Sequence, residues 1–207
     1  MRNAQLRWIA LGLALGLVGA FVGTAGLAHG EGPTIDGVIS DGEYQYCVSV
    51  DEIQMDVCWY ISDEDFYVAV KAPAQGWVGF GLRPGVPPEE TEKGMEGVDI
   101  LIGYVQDGQT FYRDDWAHTP FSHKADTELG GAENIEKAAG TEEGGFTVIE
   151  FERLLNTQDA YDADIPVRGE VYLAYSDADD FVSMHKADKE VVINFVTGAV
   201  EEEEHEE

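Results

Sequence analysis

The chain reads as an all-β protein, an antiparallel β-sandwich of about nine to eleven strands. Three observations carry that reading. Beyond the first 28 residues, Gly, Pro and Asp punctuate the chain at short intervals. Between them lie runs dominated by Val, Ile, Tyr and Phe, with frequent apolar–polar alternation, the signature of strands. No run sustains a 3.6-residue apolar stripe, and short strands without helices between them form a sandwich.

The elements follow in order. Arg2 and Arg7 precede WIALGLALGLVGAFVGTAGLA, which is uncharged from Trp8 to Ala28. A basic start, an apolar centre and the small residues Gly26 and Ala28 predict a secretory signal over residues 1–28, cleaved after Ala28. The run also reaches bilayer-spanning length, so an uncleaved anchor is the alternative. In both cases the rest of the chain is expected outside the cytoplasm: periplasmic, extracellular or on the outer face of the cytoplasmic membrane. The sandwich is expected over residues 29–198. An acidic disordered tail, residues 199–207, follows and ends in EEEEHEE.

EYQYCVSV and QMDVCWYIS form a candidate hairpin. A turn centred on Glu52 and Ile53 sets Cys47 directly opposite Cys58, and these are the two cysteines of the chain. Export favours their oxidation, and two thiols alone make a poor metal site, so a structural disulfide is expected. Next, DFYVAVKA places Phe66, Val68 and Val70 on one face. GWVGFGL, VDILIGYV and QTFYRDDW continue as strands, followed by GGFTVIEFERLL, GEVYLAYSDA and EVVINFV. IEFERLL could open a short helix, but the preceding GGFTV and the alternation favour strand.

Charge narrows the function classes. Residues 29–207 carry all 41 acidic residues and 10 of the 12 basic ones, a net charge of −31. Such a surface repels nucleic acid and anionic lipid, because phosphate binding needs the opposite sign. The acids are spread along the chain, which fits solubility, including in a salty habitat, better than docking to a basic partner.

The candidate ligand residues are few. Met95 stands at the end of PGVPPEETEKGMEGVDILIG, a polar Pro- and Gly-rich loop, and either fills irregular space or ligates a metal. His185, in FVSMHKADKEVVINF, just precedes an apolar strand. Its neighbour Met184 cannot easily reach the opposite side of a shared ligand. Asp115, His118 and His123 in DDWAHTPFSHKAD form a weak divalent-metal pattern. DTELGG reads as an acidic calcium loop or, more simply, as a Gly-terminated turn. His29 and His205 are expected to be solvated. There is no G-x-S-x-G, H-E-x-x-H or P-loop, so no catalytic motif marks an enzyme.

The order of the segments is informative. TIDGVISDGEY is followed by GWVGFGL, GMEGVDILIGYVQDG, HKADTELGG, FTVIEFERLLNTQD and SDADDFVSMH. This succession, over roughly residues 34–195, resembles the DOMON family, extracellular β-sandwich domains related to the cytochrome domain of cellobiose dehydrogenase. In its haem-binding members a Met in the loop after the W-x-x-x-G-F-like strand and a His near the domain end ligate b-type haem. Those positions fall on Met95 and His185, with His123 as the substitute for His185. Imidazole–thioether ligation closes both axial positions of the iron and suits electron transfer. Trp77, Phe80, Tyr104 and Tyr175 are candidate aromatic walls for the macrocycle.

The resemblance implies an exported domain that holds haem b non-covalently and passes single electrons. Its redox partner would be a membrane-bound cytochrome or an exported oxidoreductase. The alternative is a non-enzymatic carbohydrate-binding module, in which Trp59, Trp77 and Trp116 would stack on sugar rings.

Overall fold

The computed structural model describes residues 32–83 and 94–201. Residues 1–31, with the expected signal segment and His29, residues 84–93, and residues 202–207 with His205 lie outside the described residues.

Twelve strands form two antiparallel sheets. The first, in spatial order, contains β1 (Tyr46–Val50), β2 (Met55–Ile61), β3 (Asp65–Ala72), β9 (Phe146–Leu154) and β8 (Ile135–Glu143). The second runs β12 (Val200–Glu201), β11 (Ala187–Asn194), β10 (Arg168–Tyr175), β4 (Val78–Arg83), β5 (Asp99–Gln106), β6 (Gln109–Thr119) and β7 (Ser122–Ala125). A single helical turn, α1 (Asp126–Leu129), follows β7 and ends on Gly130 at φ 100°. That conformation costs glycine nothing, and DTELGG is the Gly-terminated turn expected. All but the last residue of IEFERLL lies in β9, as its alternation predicts. β12 draws Val200 and Glu201 into the sheet, so the ordered domain extends into the segment assigned to the tail.

Side-chain parity builds the core. Val57 and Trp59 of β2, Phe66, Val68 and Val70 of β3, and Ile149 and Phe151 of β9 face Phe80 and Leu82 of β4 and Val171 and Leu173 of β10. Trp59 is fully buried, and its Nε1 donates to the Phe195 carbonyl at 2.9 Å. It therefore cannot stack on a sugar. Phe80 and Tyr175 also point into this core rather than lining a ligand site, because they share parity with Leu82 and Leu173.

The β1–β2 register pairs Cys47 with Cys58, and the two form a disulfide, as the hairpin predicts. The crosslink closes a short loop, so its removal relaxes the unfolded chain. Reduction, or replacement of both cysteines by serine, should lower unfolding free energy by about 2–3 kcal/mol, read from denaturant unfolding curves fitted for midpoint and slope together. Two alkylatable thiols in the native protein would contradict it.

Both sheets also carry apolar residues on their outer faces. On the first, Tyr44, Cys58, Tyr67 and Ala69 cluster with Ile35 and Ile39 of the leading segment. Glu150 of β9 fastens that segment: its carboxylate accepts from the backbone N–H groups of Asp36 and Gly37 and from the Tyr44 hydroxyl at 2.6 Å. The outer face of the second sheet is different, because it floors a cavity.

Candidate functional site

Strand parity makes the floor of this cavity. In GWVGFGL, Val78, Phe80 and Leu82 face the core, which leaves Trp77, Gly79 and Gly81 on the other side. Val98, Ile100 and Ile102, from β5 and the residue before it, join them there. The result is a cavity of about 450 Å³, within the range of small-molecule sites. The two glycines keep its floor low. A Cβ on Gly81 would come within 2.7 Å of Val98 Cγ1, whereas one on Gly79 would make ordinary contact with the Trp77 ring at 3.7 Å.

Met95 reaches the cavity from a turn that the sheet itself holds. The Val98 N–H donates to the Met95 carbonyl at 3.0 Å, and Gly97, at φ 81°, supplies the left-handed residue such a turn demands. Arg83, at the end of β4, donates to the carbonyls of Gly94 and Glu96 at 2.6 and 2.8 Å, one on either side of Met95. Glu170 pairs with the same guanidinium at 3.2 Å. Tyr172 bonds both residues, and burial, ahead of its hydrogen bond to Glu170, raises the phenol pKa. Met95 is therefore positioned by a buried cation anchored to β4 and β10.

His185 reaches the cavity on the segment between β10 and β11. That segment is pinned to β4 through Trp77 N–H to Ala178 O at 3.0 Å and Ser176 N–H to Trp77 O at 2.9 Å. Asp180 accepts from the backbone N–H groups of Val182 and Ser183 and from the Ser183 hydroxyl, bonds that lower its pKa. Phe181 packs against Tyr104 with ring centroids 4.9 Å apart. The His185 side chain is half-exposed, and its Nδ1 lies 2.9 Å from Asp188 Oδ1. A carboxylate on Nδ1 fixes the proton there and leaves the Nε2 lone pair for a ligand.

The cavity thus brings together Met95 and His185, which sequence alone could only juxtapose by resemblance. His123 and Trp77 also line it; Tyr104 packs beside it, among the same outer-face residues. Trp77 Nε1 is buried without a hydrogen-bond partner. At the rim stand Phe121, Val182 and Met184, the three most exposed large apolar side chains among the described residues.

The Asp115, His118 and His123 metal reading does not hold. Asp115 is fully buried, and both its oxygens are taken, by the Arg113 guanidinium and by His123 Nδ1. His118 Nε2 instead lies 3.4 Å from the Ser122 hydroxyl. Sequence reasoning missed Gly79, Gly81, Arg83 and Asp188. The alternation of glycine with large residues in GWVGFGL, and an acid three residues after His185, were the available signals.

Comparison with known proteins agrees with this architecture. The cytochrome b domain of pyranose dehydrogenase from Coprinopsis cinerea superposes with a TM-score of 0.52 at 16% identity, over 73% of this chain and 82% of that one. MOXD1 homolog 2 of Drosophila melanogaster is 28% identical over 103 residues, half of this chain. The matched region spans only 12% of that relative's length. The DOMON domain family model matches residues 51–178, which include Met95 and stop short of His185. With well over half of its residues matched, the chain belongs to the DOMON domain family.

Proposed function

We propose that the cavity binds haem b, with His185 and Met95 as axial ligands, and that the domain transfers single electrons rather than catalysing a reaction of its own. The observation that carries this reading is the convergence of Met95 and His185 on one apolar cavity. The residues present suit the group. Gly79 and Gly81 make a floor flat enough for a macrocycle, and a side chain at Gly79 would occupy its space. Ile100, Ile102 and Phe181 supply apolar walls, and Trp77 Nε1 is a buried donor awaiting an acceptor.

Haem bound here would supply a one-electron couple, and thioether ligation favours its reduced state. The protein's own part is positional. Asp188 holds the His185 tautomer, Arg83 holds the Met95 turn, and the apolar lining excludes water. The disulfide is consistent with an exported chain. Its redox partner is then a membrane-bound cytochrome or an exported oxidoreductase.

Titration of the purified protein with haem is the test. The reduced complex should show the sharp, split visible bands of low-spin, six-coordinate iron at one haem per chain. Absence of binding would overturn the reading and leave sugar binding in the same cavity, through Trp77 and the cavity rim, as the successor; Trp116 pairs with Asp99 on the inner side of the sheet and takes no part.

A further inference from the structure

The haem reading leaves a second constellation unused, on the inner side of the same sheet. Asp99 shares parity with Leu101, and the β5–β6 register pairs Leu101 with Asp114, so both acids face between the sheets. Asp162, from the segment between β9 and β10, closes on them. One oxygen from each carboxylate lies within 4.8 Å of the other two. Asn134 stands alongside, its backbone N–H donating to Asp114 Oδ2 at 3.0 Å. Asp126, at the start of α1, is near enough to feel the charges of Asp99 and Asp162.

The polar atoms of this group are not satisfied. Asp99 Oδ1, Asp114 Oδ1, both carboxylate oxygens of Asp126 and Asp162, and Asn134 Oδ1 are buried without a hydrogen-bond partner. Asp99 is 2% exposed, Asp114 1% and Asp126 0%, so bulk solvent does not reach them. Arg153 supplies one positive charge, but its Nη1 is spent on Asp99 Oδ2 and its Nη2 on the Ala163 carbonyl, each at 2.6 Å. Buried oxygens without donors hold either protons or a cation.

We propose that Asp99, Asp114 and Asp162, with Asp126 and Asn134 beside them, form a calcium-ion site that fastens the β9–β10 segment to β5 and β6. The donor set is all oxygen, which selects a hard cation over zinc or copper. Oxygens on opposite sides of one calcium ion, each at about 2.3–2.6 Å, are about 5 Å apart at most. The three carboxylate oxygens, all within 4.8 Å of one another, fall inside that span. Magnesium demands a smaller, near-ideal octahedron and retains its waters, which a buried cluster does not favour. In the ion-free state burial pushes Asp114 up to about 9 and Asp126 up to about 8. The site is independent of haem binding.

The test uses the whole protein, stripped with EDTA and dialysed into metal-free buffer. Calcium at about a hundredfold over its dissociation constant should raise the thermal midpoint by about 5–10 °C. Magnesium should raise it less, and sodium chloride of equal ionic strength should not reproduce it. Asp162→Asn and Asp114→Asn should each remove most of the calcium-specific rise. Terbium offers a readout that needs no variant, since its luminescence lifetime counts bound waters. A buried site leaves about one or two, whereas the many surface carboxylates leave most of the hydration shell. The proposal is overturned if calcium does no more than sodium chloride, if Asp162→Asn responds like the wild type, or if bound terbium stays largely hydrated.

Discussion

His185→Ala should all but abolish haem retention while leaving the fold intact. The side chain is half-exposed and contributes nothing to the core, so its loss removes a ligand and little else. Loss of an outer-shell partner such as Asp188 typically costs about 10–100-fold in affinity. Loss of the imidazole itself should exceed that. Met95→Ala should behave differently: haem still binds through His185 and the apolar walls, but one axial position opens and the low-spin bands weaken. Met95→His should restore low-spin iron at a lower potential, since imidazole supports the oxidised state better than thioether. Haem titrations and visible spectra of the three variants, with circular dichroism to confirm folding, decide the matter. His123→Ala is the informative control. His123 lines the same cavity, and the buried Asp115 holds its Nδ1 as Asp188 holds that of His185. If His123→Ala bleaches the haem and His185→Ala does not, the ligand assignment moves to His123.

The contrast between what the sequence reveals and what it hides follows from strand geometry. Alternation identified the strands, and the short Cys47–Cys58 spacing fixed the hairpin register, because both are local. Parity within a strand is equally local, but which parity meets a ligand depends on the other sheet. Phe80 and Gly79 are chain neighbours on opposite faces, and aromatic character drew attention to Phe80 while the site uses Gly79. Trp59 misleads for the same reason: a Trp on a strand is an exposed stacking platform or a core residue according to tertiary context alone.

Met95 and His185 became readable through family resemblance and the order of segments, not through spacing. Their approach depends on Arg83 and on Asp180 shaping two loops, which no local pattern announces. The inward carboxylates were harder still. In a chain with 41 acidic residues, Asp99, Asp114 and Asp162 look like any others until the β5–β6 register turns two of them inside.

The largest stability effect should come from Arg153→Met. Arg153 of β9 and Asp99 of β5 belong to different sheets, and their side chains are 1% and 2% exposed. Their 2.6 Å bond therefore crosses the sandwich in a place where water cannot replace it. Removing one partner of such a pair leaves an uncompensated buried group and costs about 3–5 kcal/mol. The Ala163 carbonyl, which Arg153 also holds, would lose its donor at the same time. Replacing both partners is a different case, because desolvation of the two charges is avoided and the space can be filled by apolar atoms. Asp99→Leu combined with Arg153→Met should thus regain at least half of the single-variant loss. Denaturant unfolding of the four proteins, in excess EDTA so that no bound ion compensates, gives the cycle. Strict additivity of the two substitutions would mean that the pair is not coupled and that the sandwich is held at this point by packing alone.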